Sequence, residues 1–290
     1  MEDRDTILKH LAERKLHGCE RTFANVYLWA RFYNEGWEEI EGTAVFRTGQ
    51  EGAYSYTYPI GAGDRKKVVE MLMEDAKEKG YPFQLHAVSK GEMEELESYF
   101  PGKFNVEWPR DLEDYVYETE KLINLSGKKY HGKKNHLNQF KAAYPDWKYE
   151  TITDENVEEC FQMALSWRNH NGCEDDPEKN QEMCVALNSL RLFKELHLKG
   201  GLLRVNGKVV AYTLGEPVSD DTFVVHIEKA YADIRGAYTM INQQFLEHEV
   251  KDYTYVNREE DTGDEGLRTA KLSYRPVFMV EKGIVTLKGE

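Results

Sequence analysis

One order of elements occurs twice along the chain, and this repetition constrains the fold more than any single motif. In the first half, apolar residues recur at helical spacing from Ile7 to Lys15 and again at Phe23, Val26, Tyr27 and Ala30. Strand-like stretches over residues 37–47 and 54–58 lead into Gly61-Ala62-Gly63, then a helix through Val68, Val69, Leu72, Met73 and Ala76. A short strand at residues 83–86, a helix through Met93 and Leu96, and strands near residues 104–107 and 114–117 complete that half.

The second half repeats the order. Val157, Cys160, Phe161, Ala164, Leu165 and Arg168 mark one helix, and Met183, Leu187 and Leu190 a second. Asn206-Gly207 between two apolar runs is a strong hairpin signal, because this pair accepts the left-handed backbone of a tight turn. A strand over residues 222–231 runs into Asp233-Ile234-Arg235-Gly236, followed by a helix through Ala237, Met240, Ile241 and Phe245, and a strand over residues 253–256. After a polar loop comes a helix through Leu267, Ala270, Lys271 and Tyr274, which Pro276 ends, and residues 277–287 have strand character. Two copies of one α/β (α+β) unit are the simplest cause. Mixed central sheets flanked by helices are expected, one unit in residues 1–125 and the other in 126–290, with the last strands free to complete the first unit.

Composition narrows the class. With 290 residues, 40% of them hydrophobic, the chain can bury a sizeable core, and it shows no apolar run long enough to cross a bilayer. Its start, MEDRDTILKHLAERK, carries acids where an export signal has a basic segment, so a cytoplasmic location is expected. The four cysteines form no CxxC pair and read as reduced, partly buried thiols. No zinc or EF-hand spacing is present, and neither a metal nor any other protein-held cofactor is expected.

A formal charge of −14 argues against nonspecific nucleic-acid binding. The charge is uneven, however: Lys128, Lys129, Lys133, Lys134, Lys141 and Lys148 face Asp146 alone across residues 127–148. A helix starting near Gly132 carries Lys133 and Lys134 in its first turn, with Lys128, Lys129 and His131 just before it, where the helix dipole is already positive. An anion such as phosphate relieves that repulsion, whereas a solvated basic face is the plainer reading. On the strand over residues 222–231, His226 and Glu228 share a face by alternation, which suits either a general base or a satisfied polar pair.

The stretch "GLRTAKLSYRPVFMVEKG", preceded by "NREEDTGDE", resembles the C-terminal signature of the DUF2156 group, the phosphatidylglycerol lysyltransferase C-terminal domain family. "TEKLINLSGKKYHGKKNHLNQF", at the junction of the halves, resembles a second marked stretch of that group, and the element order resembles the GNAT acyltransferase fold in tandem. Relatives include Fem-type enzymes that use aminoacyl-tRNA. The resemblance implies a transferase that moves an aminoacyl or related acyl group from an activated donor, aminoacyl-tRNA, onto an amine or hydroxyl of a small molecule or peptide. It implies tRNA contact through the basic junction of residues 126–146. An acyl-coenzyme A-dependent N-acyltransferase and a non-catalytic ligand-binding module are the alternatives.

Within that frame, Glu228, Glu259 and Asp261 are the candidate catalytic carboxylates. Asn257, Arg258, Arg268, Lys271 and Tyr274 are the candidate substrate contacts, expected to line one pocket of the second unit with Glu259 and Asp261. Arg268, Lys271 and Tyr274 are spaced to form one helical stripe. Arg235 and Gly236 lie on the turn where GNAT enzymes hold the coenzyme A pyrophosphate. There the usual base and second small residue are replaced by Asp233 and Tyr238, a departure that speaks against coenzyme A. Lys128, Lys129, His131, Lys133 and Lys134 are the candidate RNA contacts. One acid, Asp264 or a neighbour, suffices to cap the following helix, which leaves the other acids of the loop to be explained.

Overall fold

The elements of the computed structural model follow the expected order, and the residues described are 1–13 and 16–289, so Lys15 at the end of the first expected helix lies outside them. In chain order they are α1 (Arg4–Leu11), α2 (Phe23–Tyr33), β1 (Gly36–Ile40), β2 (Thr43–Gln50), β3 (Ala53–Thr57), α3 (Arg65–Lys79), β4 (Gln84–Val88), α4 (Lys90–Tyr99), β5 (Phe104–Glu107) and β6 (Asp114–Glu118). There follow α5 (Thr119–Asn124), α6 (His131–Ala143), β7 (Lys148–Thr151), α7 (Val157–His170), α8 (Pro177–Arg191), β8 (Lys199–Val205), β9 (Lys208–Pro217) and β10 (Thr222–Ala230). The last are α9 (Ala237–Phe245), β11 (Tyr255–Asn257), α10 (Glu265–Leu272), β12 (Phe278–Val280) and β13 (Gly283–Leu287).

Local chemistry sets many of the boundaries. Asp64 caps α3 by accepting from the Lys67 N–H at 3.0 Å, and Gly80 ends the helix in the left-handed region. Ser89 and Glu92 form a reciprocal capping box at α4, and Asp176 caps α8 just before Pro177. Asn206 and Gly207 both take positive φ, 52° and 74°, and join β8 to β9 as the sequence expects.

The strands form two mixed sheets. The first has the order β1-β2-β3-β4-β13-β5 and the second β12-β6-β11-β10-β9-β8-β7. Each holds a parallel pair separated by a helix: β3 and β4 around α3, and β10 and β11 around α9. By contacts the chain divides into a first unit, Met1–Tyr115 with Glu260–Arg268 and Met279–Glu290, and a second, Val116–Glu259 with Thr269–Phe278. Residues 116–125, expected with the first half, therefore fall in the second unit. The reason is pairing: β6 runs antiparallel to β11, from Tyr255↔Glu118 to Asn257↔Val116.

The first core packs Val68, Val69, Leu72 and Ala76 of α3 against Tyr56, Tyr58, Leu85 and Val285. These α3 positions recur at helical spacing, so they turn to one side and bury together. In the second unit, Phe223 of β10 meets Phe245 of α9 edge-on at 5.7 Å, and Leu202, Leu203, Tyr212, Met240 and Ile241 are buried. Among the described residues, no helix is long and apolar enough to cross a membrane.

Candidate functional site

The site begins where β10 loses its neighbour. β11 pairs with β10 only at Thr222–Val224, while β10 continues to Ala230. A bulge between Val225 and Ile227 interrupts the ladder with β9 and puts His226 at the irregularity. His226 and Glu228 thus lie beyond the last pairing with β11, where their side chains meet the loop that follows β11.

Two residues give that loop its shape. Asn257 is fully buried, and its Oδ1 accepts from the Glu259 N–H at 2.6 Å, which supports Glu259 at a φ of 59°. The ammonium of Lys271 donates to the carbonyls of Arg258 at 2.7 Å and Glu259 at 3.1 Å. Both residues therefore hold backbone, and the groups the loop presents are the side chains of Arg258 and Glu259.

Those two reach β10. Arg258 Nη2 donates to Glu228 Oε1 at 2.9 Å, and Asn242 of α9 donates to Glu228 Oε2 at 3.0 Å. The Nη1 of Arg258 is buried and makes no well-formed hydrogen bond among the described residues, although the Tyr274 hydroxyl stands close enough to this guanidinium to interact with it. The carboxylate of Glu259 receives His226 Nδ1 at 2.7 Å, and Glu216 receives His226 Nε2 at 3.2 Å. Burial opposes charge on His226, but hydrogen bonds and charge from Glu216 and Glu259 outweigh it and push the pKa up to about 10. At neutral pH this is an imidazolium clamped between two carboxylates, so it cannot serve as a base.

A second cation stands beside Arg258. Lys133, in the first turn of α6, places its ammonium 3.8 Å from the centre of the Tyr274 ring, and the Arg258 guanidinium lies 4.9 Å from the same centre. Burial and the nearby charge of Arg258 push the Lys133 pKa down to about 8. Tyr274 is held by its hydroxyl, 3.3 Å from Thr239 Oγ1, and by its carbonyl, which accepts from the Tyr130 hydroxyl at 3.2 Å. Sequence reading missed Tyr117 and Asn242, which lie 6.0 Å from Arg258 and against Glu228. It also missed Glu216. No local pattern marks these three, because only β-sheet pairing and helix packing bring them here.

The seven residues expected in one pocket are divided between the two units. Asn257, Arg258, Glu259, Lys271 and Tyr274 belong to the second unit, while Asp261 and Arg268 belong to the first. Asp261 is fully buried and accepts from Arg268 Nε and Nη2, both at 2.9 Å, from the Tyr115 hydroxyl at 2.5 Å and from the Gly263 N–H at 3.0 Å. Arg268 also binds Asp111 at 2.6 Å. The expected stripe fails for the same reason: Arg268 serves this ion-pair network, Lys271 holds carbonyls, and Tyr274 lies past the end of α10. Asp264 does cap α10, accepting from the Leu267 N–H at 2.6 Å.

Packing accounts for Gly236. Its φ is +86°, and a Cβ there would stand 2.6 Å from the carbonyl oxygen of His136 on α6. The face of this turn is thus covered by a helix, and Arg235 beside it is exposed. Of the basic junction, Lys128, Lys129, His131 and Lys134 are exposed, and Lys133 alone turns toward Tyr274.

In the first unit, three groups able to ligate a metal, Cys19, Asp114 and Glu260, converge. The ammonium of Lys282 is set among them, 2.6 Å from Asp114, 3.5 Å from Glu260 and 3.3 Å from the Cys19 sulfur. It already supplies the cation that such a cluster requires.

Comparison with known proteins agrees with this architecture. A crystal structure of a conserved protein of unknown function from Bacteroides thetaiotaomicron is 38% identical, with a TM-score of 0.93 over 99% of this chain and 97% of that one. The structure of L-PGS from Bacillus licheniformis gives a TM-score of 0.62 at 15% identity, over 88% of this chain and 85% of that one, and so shows likeness of fold. An uncharacterized protein of Mycoplasmoides gallisepticum is 26% identical over 175 residues, 59% of this chain and 55% of that protein, so the match spans about half the relative's length. Two mixed sheets flanked by helices are the α/β arrangement that the element order implies. Residues 11–285 match the family described as phosphatidylglycerol lysyltransferase, C-terminal, and the chain belongs to that family of aminoacyl-type transferase domains.

Proposed function

We propose that the chain transfers an aminoacyl group from aminoacyl-tRNA onto an amine or hydroxyl of a small-molecule or peptide acceptor, with Arg258, Lys133, Tyr274 and Glu259 of the second unit as the site. The observation that carries this reading is the buried Nη1 of Arg258, without a well-formed hydrogen bond, on the same Tyr274 ring as the Lys133 ammonium. A buried donor without a partner costs about 1–3 kcal/mol, and two neighbouring cations repel, so the site favours an oxygen that bears or develops negative charge.

In this mechanism the ester carbonyl of the donor faces Arg258 Nη1 and the Lys133 ammonium. Attack by the acceptor forms a bond to the carbonyl carbon and moves charge onto its oxygen, where the two cations stabilise it. Collapse breaks the ester C–O bond; Lys133, with its lowered pKa of about 8, gives a proton to the leaving oxygen and regains one from the attacking nitrogen or oxygen of the acceptor, so that protons balance and the ammonium is restored. Glu259 lies next to Arg258 in the chain; its Oε1 is held by His226, and its other carboxylate oxygen is the one it offers to the donor's ammonium group. Glu228, expected as a catalytic carboxylate, has both oxygens engaged and acts as the positioning residue for Arg258. The exposed Lys128, Lys129, His131 and Lys134 precede or follow Lys133 in the chain and suit the tRNA phosphates.

The test is binding of charged against uncharged tRNA at fixed salt, using a non-hydrolysable 3′-amide of the aminoacyl group. Preference for the charged form by at least tenfold, lost in Arg258→Met, supports the reading. Equal binding of both forms, or stabilisation by acetyl-coenzyme A in a melting experiment, overturns it.

A further inference from the structure

A separate cavity of about 140 Å³ opens in the first unit, between α1, α2 and the start of β1. Its walls include Ile7, Phe23, Tyr27, Trp37 and Phe46, and the rings pack in pairs: Phe23 on Tyr27 at 5.8 Å, Trp37 on Phe46 at 6.4 Å. Glu35 also lines it, at the turn between α2 and β1. The Glu35 carboxylate forms no hydrogen bond or ion pair among the described residues, although it is half-buried.

We propose that this cavity binds a small organic cation, an ammonium group on a short apolar or aromatic body, with Glu35 as its counter-ion and the rings around it as its walls. Three observations converge on that class. An unpaired carboxylate beside apolar walls is unfavourable until a cation neutralises it. Aromatic faces attract cations and exclude anions. The volume resembles that of engineered apolar cavities of about 150 Å³ that take up benzene, which sets the ligand's body at roughly one ring or a four- to six-carbon chain.

The neighbouring charges are compatible with this assignment. Asp3, just before α1, lines the cavity and accepts from Trp37 Nε1 at 3.2 Å, which fixes the indole. Arg4 of α1 also lines it, with its guanidinium 5.7 Å from the Phe23 ring centre, Nη1 on the exposed Asp5 at 3.4 Å and Nε buried without a hydrogen-bond partner among the described residues. Glu35 is then the lining carboxylate left for a ligand. Burial pushes its pKa up to about 7, so ionisation of the counter-ion falls within an easily sampled pH range.

The experiment is calorimetric titration of the full chain with phenethylammonium chloride, with phenylacetate as the anionic control of similar shape. Saturable binding of the cation is expected, at least tenfold tighter than of phenylacetate. It strengthens several-fold from pH 6 to pH 8 as Glu35 ionises, and it weakens at least tenfold in Glu35→Gln, whose fold is checked by circular dichroism. Absence of saturable binding, equal affinity for the anion, or a Glu35→Gln protein that binds as the wild type does would each overturn the proposal. The pH series on the unaltered protein keeps the test decisive if the variant misfolds, since binding that is flat across that range also counts against it.

Discussion

Lys133 holds its ammonium 3.8 Å from the centre of the Tyr274 ring, although burial and the charge of Arg258 both oppose that positive charge. A cation kept where its surroundings disfavour it is a cost to the folded chain unless something else is gained.

Replacing Lys133 with Met is therefore expected to separate stability from transfer. Its folded pKa, about 8, lies below the usual lysine value near 10.4, so the folded state bears a penalty below pH 8 that fades as pH rises toward the unfolded value. After allowance for its partial exposure, Lys133→Met should gain about 0.5–1 kcal/mol at pH 7, read as a higher melting temperature. Transfer should fall by roughly 10²–10³, as when an oxyanion donor is lost. A variant that loses stability and activity in parallel would make Lys133 a structural residue.

His226 leads to an alkaline prediction. Its pKa is raised to about 10 by Glu216 and Glu259, so the stability it contributes is complete below the unfolded value near 6.5 and is lost as pH rises through about 10. His226→Ala removes the buried cation between Glu216 and Glu259 and should cost about 3 kcal/mol at pH 7. Urea unfolding at pH 7 and pH 10 checks both points, and the difference between variant and wild type should shrink at the higher pH.

Asp261→Asn should act on folding. Hydrogen bonds from Arg268, with those from Tyr115 and Gly263, hold the Asp261 pKa well below the carboxylate range. Its contribution is present above about pH 3.9 and is lost as pH falls through the lower folded value. Denaturant unfolding at pH 7 should show a loss of about 3 kcal/mol. Glu259→Gln, by contrast, should reduce affinity for charged tRNA more than it reduces stability, which parallel binding and melting curves would show.

The exposed lysines of the junction are expected to act through salt. Lys128, Lys129 and Lys134 changed together to Gln should flatten the dependence of log K on log salt for tRNA by close to one unit per lost phosphate contact. An unchanged slope would assign them to a solvated face.

Much of the fold is visible in local patterns. Asn206-Gly207, the buried stripe of α3 and the caps at Asp64, Ser89 and Asp176 each depend on residues within a few positions, and these signals survive without knowledge of the fold. The unit boundary does not have this character. Whether Val116 and Tyr117 belong with what precedes or follows depends on β11, which lies far along the chain. The polar loop after β11 shows the same limit at finer scale. Asn257, Arg258, Glu259 and Asp261 look alike in a sequence as ligand-seeking groups. Which of them faces backbone, a buried arginine or an open donor depends on φ values and on partners such as Tyr115, Glu216 and Asn242 that no spacing rule supplies.

The insertion of β13 between β4 and β5 has a consequence for biosynthesis. A ribosome delivers β1 to β5 long before residues 283–287, so the first sheet waits with an interior strand missing while the whole second unit is made. During that interval β4 and β5 expose unpaired edges where Val285 will later be fully buried. Vectorial synthesis therefore gives the second unit the opportunity to fold before the first sheet is complete, although β1 to β5 are translated ahead of it.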